Sequence, residues 1–78
     1  NNSKITIYPN PTNGILNISE SNYIINQINI YNMFGVLIKS KKNSNKDEKI
    51  DIQELPKAMY LIEVKTEKEN IIFKILKQ

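Results

Sequence analysis

Cysteine, histidine, tryptophan and arginine are all absent from this 78-residue chain. Without cysteine there is no disulfide staple and no thiolate nucleophile. Without histidine there is no ordinary general base, and without either no Cys/His zinc site. Arginine is the favoured residue for bidentate contacts to phosphate and guanine, so its absence argues against a nucleic-acid partner. The net charge of +3 therefore comes from lysine alone. Apart from Lys39, Lys41 and Lys42 the lysines are scattered, as on a solvated surface. No apolar run approaches the ~20 residues of a membrane-spanning helix, and no signal-peptide pattern opens the sequence. Glycine is nearly as scarce, with two residues, and proline numbers three.

The carboxylates do not fill the gap. Asp47 and Glu48 are adjacent and would point apart on extended chain. Asp51 and Glu54 flank a turn, where capping and solubility account for them. No calcium-loop pattern of alternating Asp and Asn occurs. No catalytic residue, cofactor or metal site is expected.

What the chain has is short-period apolar alternation. Seven segments read as strands, approximately 4–8, 15–19, 27–32, 36–41, 49–53, 59–66 and 71–77, and no window has helical periodicity. Short strands at this spacing point to an all-β antiparallel sandwich, one domain over 1–78, with residues 1–3 as a linker remnant of something longer. The inward set is expected to be Ile5, Ile7, Leu16, Ile18, Ile28, Ile30, Val36, Ile38, Ile50, Ile52, Leu55, Tyr60, Ile62, Val64, Phe73 and Ile75. Thr6, Asn17, Asn29, Lys39, Asp51, Glu63, Lys65 and Lys74 should face solvent. A core this small, unstapled, supplies only about 3–5 kcal/mol net.

The turns carry the strongest local signals. In Tyr8-Pro9-Asn10-Pro11-Thr12-Asn13-Gly14 two prolines fix their own φ and extend the residue before each. Asn13-Gly14 then supplies a positive φ. The segment should be a rigid loop between two strands. Gly35 should take the positive φ of a hairpin at Met33-Phe34-Gly35. Lys42 to Glu48 reads as the most flexible loop, Glu54 to Ala58 as a bend with Leu55 turned inward, and Glu67 to Asn70 as the last hairpin turn. The final strand is apolar on both faces, Ile71/Phe73/Ile75 against Ile72/Leu76. Such a strand is central, covered on its second face, or left with that face or its open edge available to a partner, and trimming its last residues is expected to remove little core. Asn1-Asn2-Ser3 and Asn17-Ile18-Ser19 match the glycosylation sequon, a frequent coincidence in an asparagine-rich chain. Tyr8, Tyr23, Tyr31 and Tyr60 raise the alternative of a sugar-stacking surface.

The order of these motifs resembles the type IX secretion system C-terminal sorting domain, type A. The first block is similar to Tyr8-Pro9-Asn10-Pro11 with Gly14 and Leu16-Asn17-Ile18. The second resembles Ile28 to Ile38 around Gly35, the third Ile50 to Ile62 with Pro56 and Tyr60. The fourth is the lysine-bearing end, Phe73 to Gln78. Two departures stand out: Ala58 where the family usually has glycine, and Val36 directly after Gly35 where it has arginine. The resemblance implies a seven-stranded immunoglobulin-like sandwich that is a sorting label and not an enzyme. It implies a covalently linked N-terminal cargo, passage through the periplasm, and placement outside the cell or on its surface. Its implied partners are the type IX translocon with an outer-membrane shuttle barrel protein, and a sortase-type peptidase that removes the label. It implies translocon recognition through Lys74, Ile75, Leu76, Lys77 and Gln78. The alternating all-β pattern is itself read as a monomer. The competing class is an immunoglobulin-like adhesion, carbohydrate-binding or spacer module of a secreted multidomain protein.

Overall fold

The computed structural model describes residues 5–19, 23–45 and 47–78; side chains of 43–45 and 47 are not among those described. Asn1-Asn2-Ser3, Lys4 and Lys46 lie outside the described residues. Among the described residues seven strands form: β1 Thr6–Tyr8, β2 Ile15–Ser19, β3 Ile25–Tyr31, β4 Leu37–Asn45, β5 Asp47–Asp51, β6 Ala58–Thr66 and β7 Asn70–Lys77. They pair antiparallel into two sheets, β1-β2-β5 and β4-β3-β6-β7. This is the immunoglobulin-like sandwich, with the fourth strand placed beside the third and not, as in constant domains, in the sheet of the first, second and fifth strands.

The sheets meet over Leu16, Ile18, Ile25, Ile28, Ile30, Ile50, Ile52, Tyr60, Ile62, Val64 and Ile75, with Ile5, Ile7, Leu55 and Phe73 packed at the margin. Alternation drives this arrangement. Along β6 the burial switches at every residue, so Tyr60, Ile62 and Val64 enter the core while Met59, Leu61, Glu63 and Lys65 face outward. Tyr60 also donates its hydroxyl to the carbonyl of Pro56 at 2.6 Å. That is the tyrosine corner of such sandwiches, locking the β5–β6 crossover to the start of β6.

Several expectations are corrected. The stretch from Lys42 to Glu48 is not a loop: β4 continues to Asn45 on β3, and β5 begins at Asp47 on β2. Polar side chains suit a sheet edge, and the backbone ladder alone sets the strand. Val36 and Ile38 are exposed, Val36 at 57%. An irregularity between Ile30 and Tyr31 shifts the β3–β4 register, so Lys39 pairs with Ile30 and Lys41 with Ile28. The lysines, not the apolar pair, thus occupy the inward side of β4. Their ammonium groups reach across the seam to β5. Lys39 Nζ donates to Asp51 O at 2.9 Å and Glu54 Oε2 at 3.0 Å. Lys41 donates to Lys49 O at 3.4 Å and pairs with Glu48. Inward-pointing charge of this kind guards an edge strand. Asn29 is buried instead of solvated, because it bonds Gln27, Ser40 and Glu63 on the outer face of the larger sheet. Ile25 joins the core although the sequence placed its strand from residue 27.

Candidate functional site

All four sequence blocks converge on one pole of the sandwich. The β1–β2 loop, the β3–β4 turn, the β5–β6 crossover and the end of β7 all lie there. Strand direction places Thr6 at the opposite pole, with Ser19, Asp47 and Asn70.

The first loop is built from its own polar residues. Gly14 has φ +139°, and its carbonyl accepts from Ile52 N at 2.7 Å. Thr12 Oγ1 accepts from Gly14 N at 3.0 Å and donates to Ile15 O at 2.9 Å. Tyr8–Pro9 and Asn10–Pro11 are both cis. Pro9 and Pro11 stay exposed and Tyr8 is half exposed.

This loop lies along the last strand. β7 is outermost in its sheet, yet four successive groups on its outer edge are paired. Asn10 Nδ2 donates to Lys74 O, and Leu76 N donates to Asn10 Oδ1, both at 3.1 Å. Thr12 N donates to Leu76 O at 2.9 Å, and Gln78 N donates to Thr12 O at 2.8 Å. Thr12 and Lys77 form a parallel bridge. The side-chain amide of Asn10 acts as a peptide group would, giving one donor and one acceptor. Over Lys74 to Gln78 the edge expected to be open is closed.

The five terminal residues assigned to recognition divide by alternation. Ile75 is fully buried, and Lys77 lies inward at 7% exposure. Lys74 and Leu76 lie on the outer face, opposite Leu61 and Met59, and Gln78 is exposed. The last residues therefore do contribute core, contrary to expectation. Ile72 stands outward at 61% and Leu76 at 37%.

The hairpin turn is a second exposed feature. Gly35 has φ +84°, and its N–H donates to Asn32 O at 3.0 Å. Asn32 Oδ1 accepts from Phe34 N at 2.8 Å and Val36 N at 3.1 Å. This leaves Phe34 91% exposed beside an open groove of about 420 Å³ shared with Pro56, Ala58 and Met59. Thr12 and Asn32 were missed as structural residues. Each is a short polar side chain two or three residues before a turn glycine, the pattern of local side-chain-to-backbone bonds.

Three of the four tyrosines lie apart from one another. Tyr60 is buried, Tyr31 donates its hydroxyl to Glu63 Oε1 at 3.1 Å, and Tyr8 belongs to the other sheet. The Glu63 carboxyl is held below its usual range, first by the Asn29 amide and then by Tyr31. Tyr31 is pushed up, chiefly by its hydrogen bond to Glu63. Among the described residues no three His, Cys, Asp or Glu side chains gather where they could hold a metal ion.

Such a site presents a surface, and the class it defines is an immunoglobulin-like sandwich with a clasped terminal strand. The pattern of the secretion system C-terminal sorting domain matches residues 6–78. The chain belongs to that family, the type IX C-terminal sorting domains, whose members mark proteins for export to the cell surface or beyond. It is also similar to beta-agarase D of Zobellia galactanivorans, 36% identical over 61 residues. That match takes 78% of this chain and 12% of the relative, so the chain spans a small part of the relative's length.

Proposed function

We propose that this domain is a non-catalytic address label, carrying a cargo protein through the type IX translocon and across the outer membrane. The cargo is covalently linked upstream of β1 and waits in the periplasm before export. An outer-membrane shuttle barrel protein receives the label, and a sortase-type peptidase then removes it. Family membership supports the sorting role. The observation that carries the location of the signal is the clasp of Asn10 and Thr12 on β7. It joins the first and last family blocks into one rigid pole, opposite the place where residue 6 comes in. A pole turned away from the cargo is the accessible end for a receptor.

The test is a fusion of residues 1–78 behind a periplasmic reporter, in a host that has the type IX system and in a translocon-deficient derivative. Surface delivery in the first and periplasmic retention in the second are expected. Delivery that survives loss of the translocon would overturn the reading.

A further inference from the structure

The last strand could be read in two ways: along its backbone edge, by strand addition, or through side chains on its outer face. An outermost strand ordinarily offers its edge. Here Lys74 O, Leu76 N, Leu76 O and Gln78 N are taken in turn by the Asn10 side chain and the Thr12 backbone. The four groups alternate acceptor and donor as along a ladder, so the loop stands where an added strand would lie. The outer face is left available. Ile72, Lys74 and Leu76 follow one another at a spacing of two, opposite Glu63, Leu61 and Met59. The ion pairs among the described residues are Lys39–Glu54 and Lys41–Glu48, and neither involves Lys74.

We propose that the Tyr8–Gly14 loop is a built-in partner for β7, and that the receptor reads the apolar–basic–apolar row Ile72, Lys74, Leu76 and not the strand edge. This rests on the sorting reading above. The partner that fits is a protein surface with apolar sockets on either side of a carboxylate, since the row presents two aliphatic side chains around one unpaired ammonium. Asn10 and Thr12 are positioning residues: they keep residues 74–78 in one register and exclude a competing strand.

The two modes predict opposite signs for one substitution. Asn10→Ala frees Lys74 O and Leu76 N. If the edge were read, delivery of the fusion would rise; if the face is read, loosening the row lowers delivery several-fold. Lys74→Glu and Leu76→Gln change exposed side chains and leave every clasp bond in place. Both should lower delivery several-fold while the domain stays folded and melts cooperatively, with the amide exchange at positions 76 and 78 still slower than at Ile72. Lys74→Arg should restore it. In the purified wild-type domain the Leu76 and Gln78 amides should exchange more slowly than that of Ile72, which lies on the edge before the clasp. Should Asn10→Ala fail to fold, the two face variants decide alone. Delivery raised or unchanged by folded Asn10→Ala, or unchanged by both face variants, overturns the proposal while the sorting reading stands. Failure of the wild-type fusion to reach the surface overturns both.

Discussion

The two glycines have the same sign of φ but different surroundings. At Gly14, with φ +139°, a Cβ would stand 2.5 Å from Gln53 Cγ and 3.0 Å from Gln53 Cα. The loop and the β5–β6 crossover touch there, and the approach requires the absence of a side chain as well as the backbone freedom. At Gly35, with φ +84°, nothing lies within 4 Å of such a Cβ. Gly35→Asn should therefore cost only the left-handed conformation, about 1 kcal/mol. Gly14→Val adds a steric clash to its strain and should cost about 2–4 kcal/mol. Thermal melts of the two variants should separate clearly, since 1 kcal/mol moves the midpoint of a domain this size by about 4–8 °C. Equal losses would contradict this account of Gly14. Both positive φ values were legible in the sequence, because Asn-Gly and a glycine between alternating runs are local signals. The contact of Gly14 with Gln53 was not, since it joins residues that only the fold brings together.

Between strands, the sequence was legible where a strand is covered on one face and misleading where it is not. β6 has a clean in/out alternation, and Tyr60, Ile62 and Val64 are buried as their period requires. β4 has a comparable apolar start, Val36-Leu37-Ile38, but one register irregularity moves its apolar side chains off the core and brings Lys39 and Lys41 in. A slip of one residue exchanges the faces of a strand, and nothing local announces it. The outer face of the larger sheet was read as plain solvent exposure. It carries instead a network across β3, β4 and β6: Gln27 to Ser40 and Asn29, Ser40 to Asn29, and Asn29 and Tyr31 to Glu63. The network has a pH signature. The folded-state pKa of Glu63 is lowered, principally by the Asn29 hydrogen bond. The stability it contributes is therefore full above the unfolded carboxylate value of about 4.3 and is lost as pH falls through the lower folded value. Glu63→Gln keeps an acceptor for Asn29 and Tyr31 but carries no charge. Urea midpoints at pH 7, 5 and 3 should show the variant less stable than wild type at pH 7, with the gap narrowing at pH 3. A gap that stays constant with pH would mean that Glu63 contributes by packing alone.

For the whole molecule, the problem is how 78 residues without a cysteine hold two sheets together. Apolar burial between the sheets is one part, and closure of the open edges is the other. Lys39 and Lys41 cross the seam between β4 and β5, while Asn10 and Thr12 close the far edge of β7. The second closure joins residues 64 and 66 positions apart in sequence, so the first loop and last strand depend on each other. Sequence patterning marked both segments separately but gave no sign of their pairing, because a side-chain amide on a strand edge leaves no periodicity. The coupling makes the end of the chain structural. Removal of Gln78 alone deletes one bond to Thr12, a loss of about 0.5–1.5 kcal/mol, and should lower the melting temperature by several degrees. Removal of residues 74–78 deletes fully buried Ile75, about 1.5–3 kcal/mol of burial, together with the inward Lys77 and every bond of the clasp. Against a net stability of about 3–5 kcal/mol, the domain ending at Phe73 should be unfolded at 37 °C. Circular dichroism melts of the two truncations, read beside surface delivery of the matching fusions, separate a lost fold from a lost signal. A domain ending at Phe73 that still melts cooperatively near the wild-type temperature would show that the clasp and Ile75 contribute far less than their burial and bonding require.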